Sequence, residues 1–362
     1  MTATDIDLMA RAIQLAARGQ CSTSPNPCVG CVLVKDGAVI AEGWHTAAGG
    51  PHAEINALRD AGDNARGATA YVTLEPCSHH GKTGPCCEAL ITAGIERVVY
   101  GMQDPNPSVS GNGLQRLRDA GITVTGPVLE NAARALNPGF IKRMEKQLPF
   151  VRLKMAMSLD GRTAMASGES LWITGEAARN DVQRMRARSC AIITAASTVL
   201  SDNAQLTVRE PESLAALGTR RPLRVLLDQH AHVSLESSIF DACAPTLWCT
   251  TKTPPEQLPE TVEHWHLPTR HHHADLVALL GELARRGCND ILVEAGATLA
   301  GSFLQEKLVD ELVIYMAPKL LGSTARPLFT LPFESMDEAH NLKILDVRAV
   351  GDDWRFTIQP LD

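Results

Sequence analysis

His52, Glu54, Cys77 and Cys86 are the residues of this chain whose types and spacing carry the most chemistry. Zinc takes imidazole nitrogen and thiolate sulfur in a tetrahedron, and a catalytic site uses three protein ligands so that water holds the fourth position. His52, Cys77 and Cys86 supply those three. Glu54, two positions beyond the histidine, reaches a bound water without ligating the metal and can carry protons between that water and a leaving amine. The stretch LEPCSHHGKTGPCCEA, Leu74 to Ala89, holds more metal-friendly side chains than one ion needs. Cys87 would point about 100° away from Cys86 around a helix starting near Pro85, which favours Cys86 as the ligand. At that helix start the dipole favours the Cys86 thiolate. His79, His80 and Lys82 are left to line the pocket mouth and meet substrate.

The order H-x-E followed by P-C-x-x-C marks the zinc nucleobase deaminases. Here Cys77 and Cys86 stand nine positions apart, so the loop must bulge and return, and Gly81, Gly84 and Pro85 suit that detour. The competing reading is a structural zinc clip or buried thiols, yet structural sites close with a fourth Cys or His. Other suggestive residues weigh less. Cys28 and Cys31 fall on opposite faces of a strand at an offset of three, and His271-His272-His273 has no Cys or carboxylate partner in spacing. Asn26, in TSPNPCVG, sits at a turn signal; it either only shapes the turn or hydrogen-bonds a substrate.

The elements that must position these residues alternate. After an amphipathic N-terminal helix, Cys31 to Glu42 reads as a hairpin turning at Asp36-Gly37. A helix through His52 to Ala61, a strand at Ala68 to Leu74, a helix near Pro85 and a strand at Arg97 to Tyr100 follow. A helix at Gly113 to Ala120, a strand at Ile122 to Val124 and a closing helix interrupted at Pro138-Gly139 complete a first domain, 1–147. Leu148-Pro149 is the linker. From 150 to 362 a second α/β alternation runs: strands VRLKMAMSL, AIITA, PLRVLLD, DILVEAG and ELVIYMA, with helices at Glu176 to Arg188, His273 to Arg286 and Thr298 to Lys307. Ala244 to Arg270 reads as loop with one short strand at Thr246 to Cys249. Such alternation implies sheets covered on both faces.

With 362 residues and 44% hydrophobic content, the chain can build two cores. Its formal net charge of -7 and lack of a Lys/Arg run exclude nucleic acid as the expected partner and leave a small molecule. No basic leader precedes an apolar segment, no apolar run reaches a membrane span, and ten cysteines read as reduced thiols, so the expectation is a cytoplasmic protein with no membrane partner.

TSPNPCVG, HAEINAL and EPCSHHGKTGPC in the first half, with KMAMSLDGRTA, SGESLWITG, VEAGATLAGSFL and APKLLG in the second, together resemble the bifunctional deaminase/reductase family of riboflavin biosynthesis. The resemblance spans nearly the whole chain. It implies a cytidine-deaminase-like three-layer domain followed by a dihydrofolate-reductase-like domain. The implied substrate is a pyrimidine ribonucleotide, a diaminopyrimidinone carrying a ribosylamino 5'-phosphate. Zinc-assisted removal of the ring amine and then NADPH-dependent reduction of the ribosyl group to ribityl are the implied steps.

In the second domain Gly296-Ala297-Thr298, between a strand and a helix, offers backbone N–H groups to a phosphate. The resemblance strengthens that reading, includes Leu299, and adds Ala156, Trp172, Thr198 and Asp202 as cofactor contacts. It assigns Ser170, Arg186, Leu206, Arg209 and Glu294 to substrate, the two arginines offering planar forks for phosphate. Lys154 on the first strand is a further substrate candidate. Gln229 stands where family members often place Ser or Thr. Apolar strand in excess of what one small sheet needs points to a homodimer or larger homo-oligomer. The remaining alternatives are a nucleic-acid editing deaminase, which the charge and the second domain oppose, and a non-enzymatic module stapled by zinc.

Overall fold

The computed structural model describes residues 3–79, 84–107, 109–169 and 172–361. The chain divides into two compact units, Met1–Leu148 and Pro149–Asp362.

The first unit runs α1 (Ala3–Ala17), β1 (Gly30–Lys35), β2 (Ala38–Trp44), α2 (Ala53–Ala61), β3 (Thr69–Leu74), α3 (Cys86–Thr92) and β4 (Arg97–Met102). It continues through α4 (Asn112–Asp119), β5 (Thr123–Thr125), α5 (Glu130–Ala135) and α6 (Pro138–Lys146). Asp36 and Gly37 both take positive φ, 51° and 79°, the geometry a two-residue hairpin turn requires. The sheet order is β2-β1-β3-β4-β5, antiparallel about β1 and parallel through β3, β4 and β5. Strand β1 is apolar at consecutive positions because both of its faces are covered. Val32 and Val34 pack with Met9, Ala12 and Leu15 of α1, while Cys31 and Leu33 pack with Ala53, Ala57, Cys87 and Leu90. The approach of α1 is close enough that a Cβ on Gly30 would lie 2.0 Å from the Ala12 carbonyl oxygen.

The second unit begins with β6 (Phe150–Ser158), β7 (Arg162–Ala164), α7 (Glu176–Arg188), β8 (Ala191–Ala195), α8 (Ala196–Asp202), α9 (Pro211–Leu217) and β9 (Leu223–Leu227). Next come β10 (Thr246–Thr250), β11 (Val262–His266), β12 (Thr269–Arg270), β13 (His273–Ala274), α10 (Leu276–Arg285), β14 (Asp290–Glu294) and α11 (Ala297–Gln305). The last elements are β15 (Glu311–Ala317), β16 (Arg326–Pro327), β17 (Leu342–Val350) and β18 (Asp353–Pro360). Nine strands form one sheet in the order β11-β10-β9-β8-β14-β6-β15-β18-β17.

Two expectations shift. The segment read as loop after Cys249 contains a second strand, β11, pairing in parallel with β10 at the sheet edge; its polar composition, VEHWH, hides it from a hydrophobicity reading. The helix expected from His273 starts at Leu276, where Asp275 caps it by accepting the Ala278 N–H at 2.8 Å. His273 instead pairs with Arg270 in the short ribbon β12–β13.

At the other edge, the register between β17 and β18 slips between Ile344 and Asp346. The slip places Leu342, Ile344 and Val347 on the face that carries Trp354. Those four side chains are 44–58% exposed, so this apolar face lies uncovered.

Candidate functional site

In the first unit three chain segments converge. His52 is the N-cap of α2, with no side-chain cap of its own, and Glu54 lies in that helix's first turn. Cys77 follows β3 by three residues, and Cys86 is the first residue of α3, capped by Pro85. The site therefore forms where a strand's carboxyl end meets helix N-termini, the crevice that α/β sheets offer to ligands.

His52 Nδ1, Cys77 Sγ and Cys86 Sγ lie within 4.8 Å of one another, the one such cluster among the described residues. Nδ1 stands 3.2 Å from the Cys86 sulfur and 3.6 Å from the Cys77 sulfur. Tetrahedral zinc with ordinary bond lengths separates nitrogen and sulfur ligands by about 3.6 Å, so the donor set and its spacing fit the ion. Burial pushes the Glu54 carboxyl up to about 7, and the Cys77 sulfur adds to that rise. Cys77 Sγ accepts the Cys86 backbone N–H at 3.3 Å and is held low chiefly by a hydrogen bond from the Cys86 thiol, which is itself pushed up. Cys87 points into the core beside Leu90. His79 is exposed; His80 and Lys82 lie outside the described residues.

Cys28 precedes β1 and contacts Thr23 Oγ1 at 3.3 Å, while Cys31 is wholly buried. Asn26 lies part-buried, its Nδ2 donating to His45 Nε2 at 3.1 Å.

In the second unit, strand register sets the site. Lys154 pairs with Glu294 across β6 and β14, so both side chains emerge on one sheet face. Arg186, from α7, clamps Glu294 with two hydrogen bonds of 2.6 and 2.9 Å and donates a third to the Thr207 carbonyl at 3.0 Å. Burial pushes the Glu294 carboxyl up, but Arg186, followed by Lys154 and Arg209, overrides it and leaves the group below the usual carboxylate range. Burial lowers Lys154, with Glu294 opposing. The Arg186 fork is thus committed within the protein, whereas Arg209 is exposed and its Nη1 donates to Gln205 Oε1 at 3.3 Å.

Leu206 sits in the core cluster with a positive φ of 54°, a strained conformation for a bulky residue. Gly296 caps α11, so Ala297, Thr298 and Leu299 form its first turn with no side-chain cap on their N–H groups. Thr198 and Asp202 lie on α8, which follows β8, the neighbour of β14. Ala156 is half-buried on β6, and Trp172 is 63% exposed. Ser170 lies outside the described residues. Gln229 directs its Nε2 to the His272 carbonyl at 3.0 Å.

Comparison with known proteins adds to this geometry. Residues 149–356 match the model described as RibD C-terminal domain, and residues 2–102 match the cytidine and deoxycytidylate deaminase zinc-binding region. The riboflavin biosynthesis protein RibD of Escherichia coli (strain K12) is 52% identical over 353 residues, covering 95% of this chain and 96% of that protein. The chain belongs to the RibD family. The RibD protein of Haemophilus influenzae is 48% identical, covering 98% of this chain and 97% of that one. Among solved structures, Acinetobacter baumannii RibD superposes with a TM-score of 0.92 at 46% identity over 99% of both chains. A Thermotoga maritima diaminohydroxyphosphoribosylaminopyrimidine deaminase/5-amino-6-(5-phosphoribosylamino)uracil reductase does so with a TM-score of 0.88 at 37% identity, again over 99% of both.

Within this chain, two site residues were not singled out by sequence. His45, 2% exposed, has its Nδ1 3.0 Å from the Pro51 carbonyl and its ring 5.4 Å from that of His52. It fixes the Asn26 amide beside the cysteine–histidine triad. Glu75, also 2% exposed, accepts four backbone N–H groups, from Asp104 (3.2 Å), Gly111 (2.9 Å), Gly113 (2.9 Å) and Leu114 (3.4 Å). It ties the segment after β4 to the residues that lead into Cys77. The packing there is tight: a Cβ on Gly113 would lie 1.9 Å from the Pro76 carbonyl oxygen. Glu75's place immediately before Pro76-Cys77 was the only signal available for it in the sequence.

Proposed function

We propose that the chain is a bifunctional enzyme of riboflavin biosynthesis. The unit Met1–Leu148 hydrolytically deaminates a diaminopyrimidinone ribosylamino 5'-phosphate, and the unit Pro149–Asp362 reduces the product's ribosyl group to ribityl with NADPH. The observation that carries this reading is the convergence of His52, Cys77 and Cys86, with Glu54 beside them, on a chain whose other half matches the RibD C-terminal domain.

His52, Cys77 and Cys86 would hold zinc, which supplies Lewis-acid activation of a water. Glu54 takes a proton from the attacking water on its carboxylate and delivers it to the departing amine. Asn26, held by His45, orients the pyrimidine. In the second unit Lys154 and Glu294 face the sugar, and the family resemblance adds Leu206 and Ser170 as substrate contacts. Arg209 receives the 5'-phosphate, while Arg186 contributes mainly by holding Glu294. The first-turn N–H groups of Ala297, Thr298 and Leu299, with Gly296, cradle the cofactor phosphates. Ala156, Trp172, Thr198 and Asp202 complete the NADPH site, and NADPH supplies the hydride.

Incubating pure protein with the pyrimidine nucleotide and NADPH tests the reading. Ammonia release should precede NADPH loss. Failure to consume NADPH with authentic deaminated substrate would remove the reductase assignment, and failure to release ammonia the deaminase assignment.

A homodimer through the uncovered β17–β18 face is part of the same proposal. Burying Leu342, Ile344, Val347 and Trp354 against a second copy removes a contiguous apolar surface from water. We place the enzyme in the cytoplasm, where thiols such as Cys77 and Cys86 stay reduced and able to ligate. No helix among the described residues is long and apolar enough to cross a membrane.

A further inference from the structure

The start of β18 meets the start of α7. Asp353, only 3% exposed, accepts the Gly175 N–H on its Oδ2 at 2.7 Å. Gly175 is the N-cap of α7, where a carboxylate also gains from the helix dipole. Deeper along α7, Asp181 takes hydrogen bonds from Tyr315 at 2.5 Å and Arg355 at 2.8 Å. In the hairpin turn, a Cβ on Gly351 would lie 2.9 Å from the Ala177 Cβ. The hairpin and the first turns of α7 therefore form one braced body.

Three residues before Gly175 stands Trp172. Its indole is faced by the Arg179 guanidinium at 4.7 Å, and its carbonyl oxygen accepts Lys319 Nζ at 2.9 Å. Arg179 also donates to the Thr174 carbonyl at 2.8 Å. Lys319 is exposed and Arg179 half-buried, whereas Asp353 is buried. The bond from the exposed Gly175 to the buried Asp353 is part-buried, as is that from Arg179 to Thr174, whereas the Lys319 bond is exposed; of the three, the Gly175 bond alone ties the stretch to the β17–β18 hairpin.

We propose that Asp353 is a positioning residue for the reductase: through Gly175 it fixes the stretch that presents Trp172 to NADPH. This rests on the reading of Trp172 as a cofactor contact. A stretch that adopts its binding geometry only part of the time weakens apparent affinity by that fraction, so the tether acts on NADPH binding and not on the chemical step.

The test compares Asp353→Ala, Asp353→Asn, Gly175→Pro and Trp172→Ala in the full chain, with NADPH and the deaminated nucleotide. Gly175→Pro removes the donor at a native φ of -73° that suits proline and sets its ring Cδ against Asp353 Oδ2 in place of the N–H, so it breaks the tether from the other side. Asp353→Ala and Gly175→Pro should each raise the KM for NADPH about tenfold with kcat nearly unchanged, and should weaken quenching of tryptophan fluorescence by NADPH to match. Asp353→Asn, whose Oδ1 still accepts the N–H, should stay near wild type. Ammonia release by the other unit should not change in any of the four. If Asp353→Ala and Gly175→Pro lower the melting temperature without moving the NADPH KM, or if Asp353→Asn behaves like Asp353→Ala, the proposal is overturned. Trp172→Ala separates the two layers: no change in its NADPH KM removes the cofactor-contact reading itself, whereas a raised KM there beside an unaffected Asp353→Ala removes only the positioning role.

Discussion

Glu75→Gln isolates what one buried carboxylate does for the deaminase half. Each Glu75 oxygen accepts two backbone N–H groups: Oε2 from Asp104 and Gly111, Oε1 from Gly113 and Leu114. Glutamine keeps one acceptor oxygen and turns the other into an amide donor facing two donors. Leaving two buried N–H groups unsatisfied, at about 1–3 kcal/mol each, costs about 4 kcal/mol in total. Against a domain stability of about 5–15 kcal/mol, that is a large share. For a unit of this size it lowers the melting temperature by roughly 10 °C. Because the same carboxylate ties the segment after β4 to the run into Cys77, ammonia release and zinc retention should fall together. NADPH oxidation with deaminated nucleotide should persist, since the second unit has its own core. Calorimetry, metal analysis and the two rate assays on one preparation check this. A Glu75→Gln protein that melts and deaminates like wild type would show that these bonds do not organise the site.

Four further outcomes follow from the geometry. Glu54→Gln should lower deamination by about 10²–10⁴-fold while the protein retains zinc, measured by metal content beside ammonia release; a normal rate would remove the acid/base role. Chelation should abolish ammonia release yet leave far-UV circular dichroism and NADPH oxidation intact, whereas loss of fold would mark the metal as a staple. Arg186→Met should destabilise the second unit by about 3–5 kcal/mol at neutral pH, because it leaves Glu294 buried without its partner. In wild type the Glu294 carboxyl lies below its usual value, so its stabilising contribution is complete above the unfolded pKa and declines as pH falls through the folded one. Urea titrations at neutral and acid pH should show that acid-side decline in wild type and not in Arg186→Met. Ile344→Glu with Val347→Glu should shift the light-scattering mass to that of a monomer; an unchanged mass would remove the proposed dimer face.

What could be read without coordinates followed from local pattern. The H-x-E triplet, the Pro-Cys and the Asp36-Gly37 turn each express their chemistry within a few residues, so they were legible. Glu75 was not, because its meaning lies in N–H groups that return to it from 29 to 39 residues downstream. The same holds for Arg186 and Glu294, separated by 108 positions: Arg186 alone suggested phosphate binding and Glu294 a substrate contact, and only the packing of α7 against β14 turns one toward the other. His45 looked like any histidine before a Gly-rich turn until the fold set it beside Asn26. β11 escaped because edge strands tolerate polar side chains on their open side.

The two helix starts that frame the zinc triad also carry a trade-off for engineering. Position 52 is where serine or aspartate would ordinarily secure a helix start, and neither His52 nor Pro85 makes that bond; the difference is worth about 1 kcal/mol per helix. A thermostability screen without metal would therefore select His52→Ser or His52→Asp as an improvement and, given the ligand role proposed for His52, would lose ammonia release in doing so.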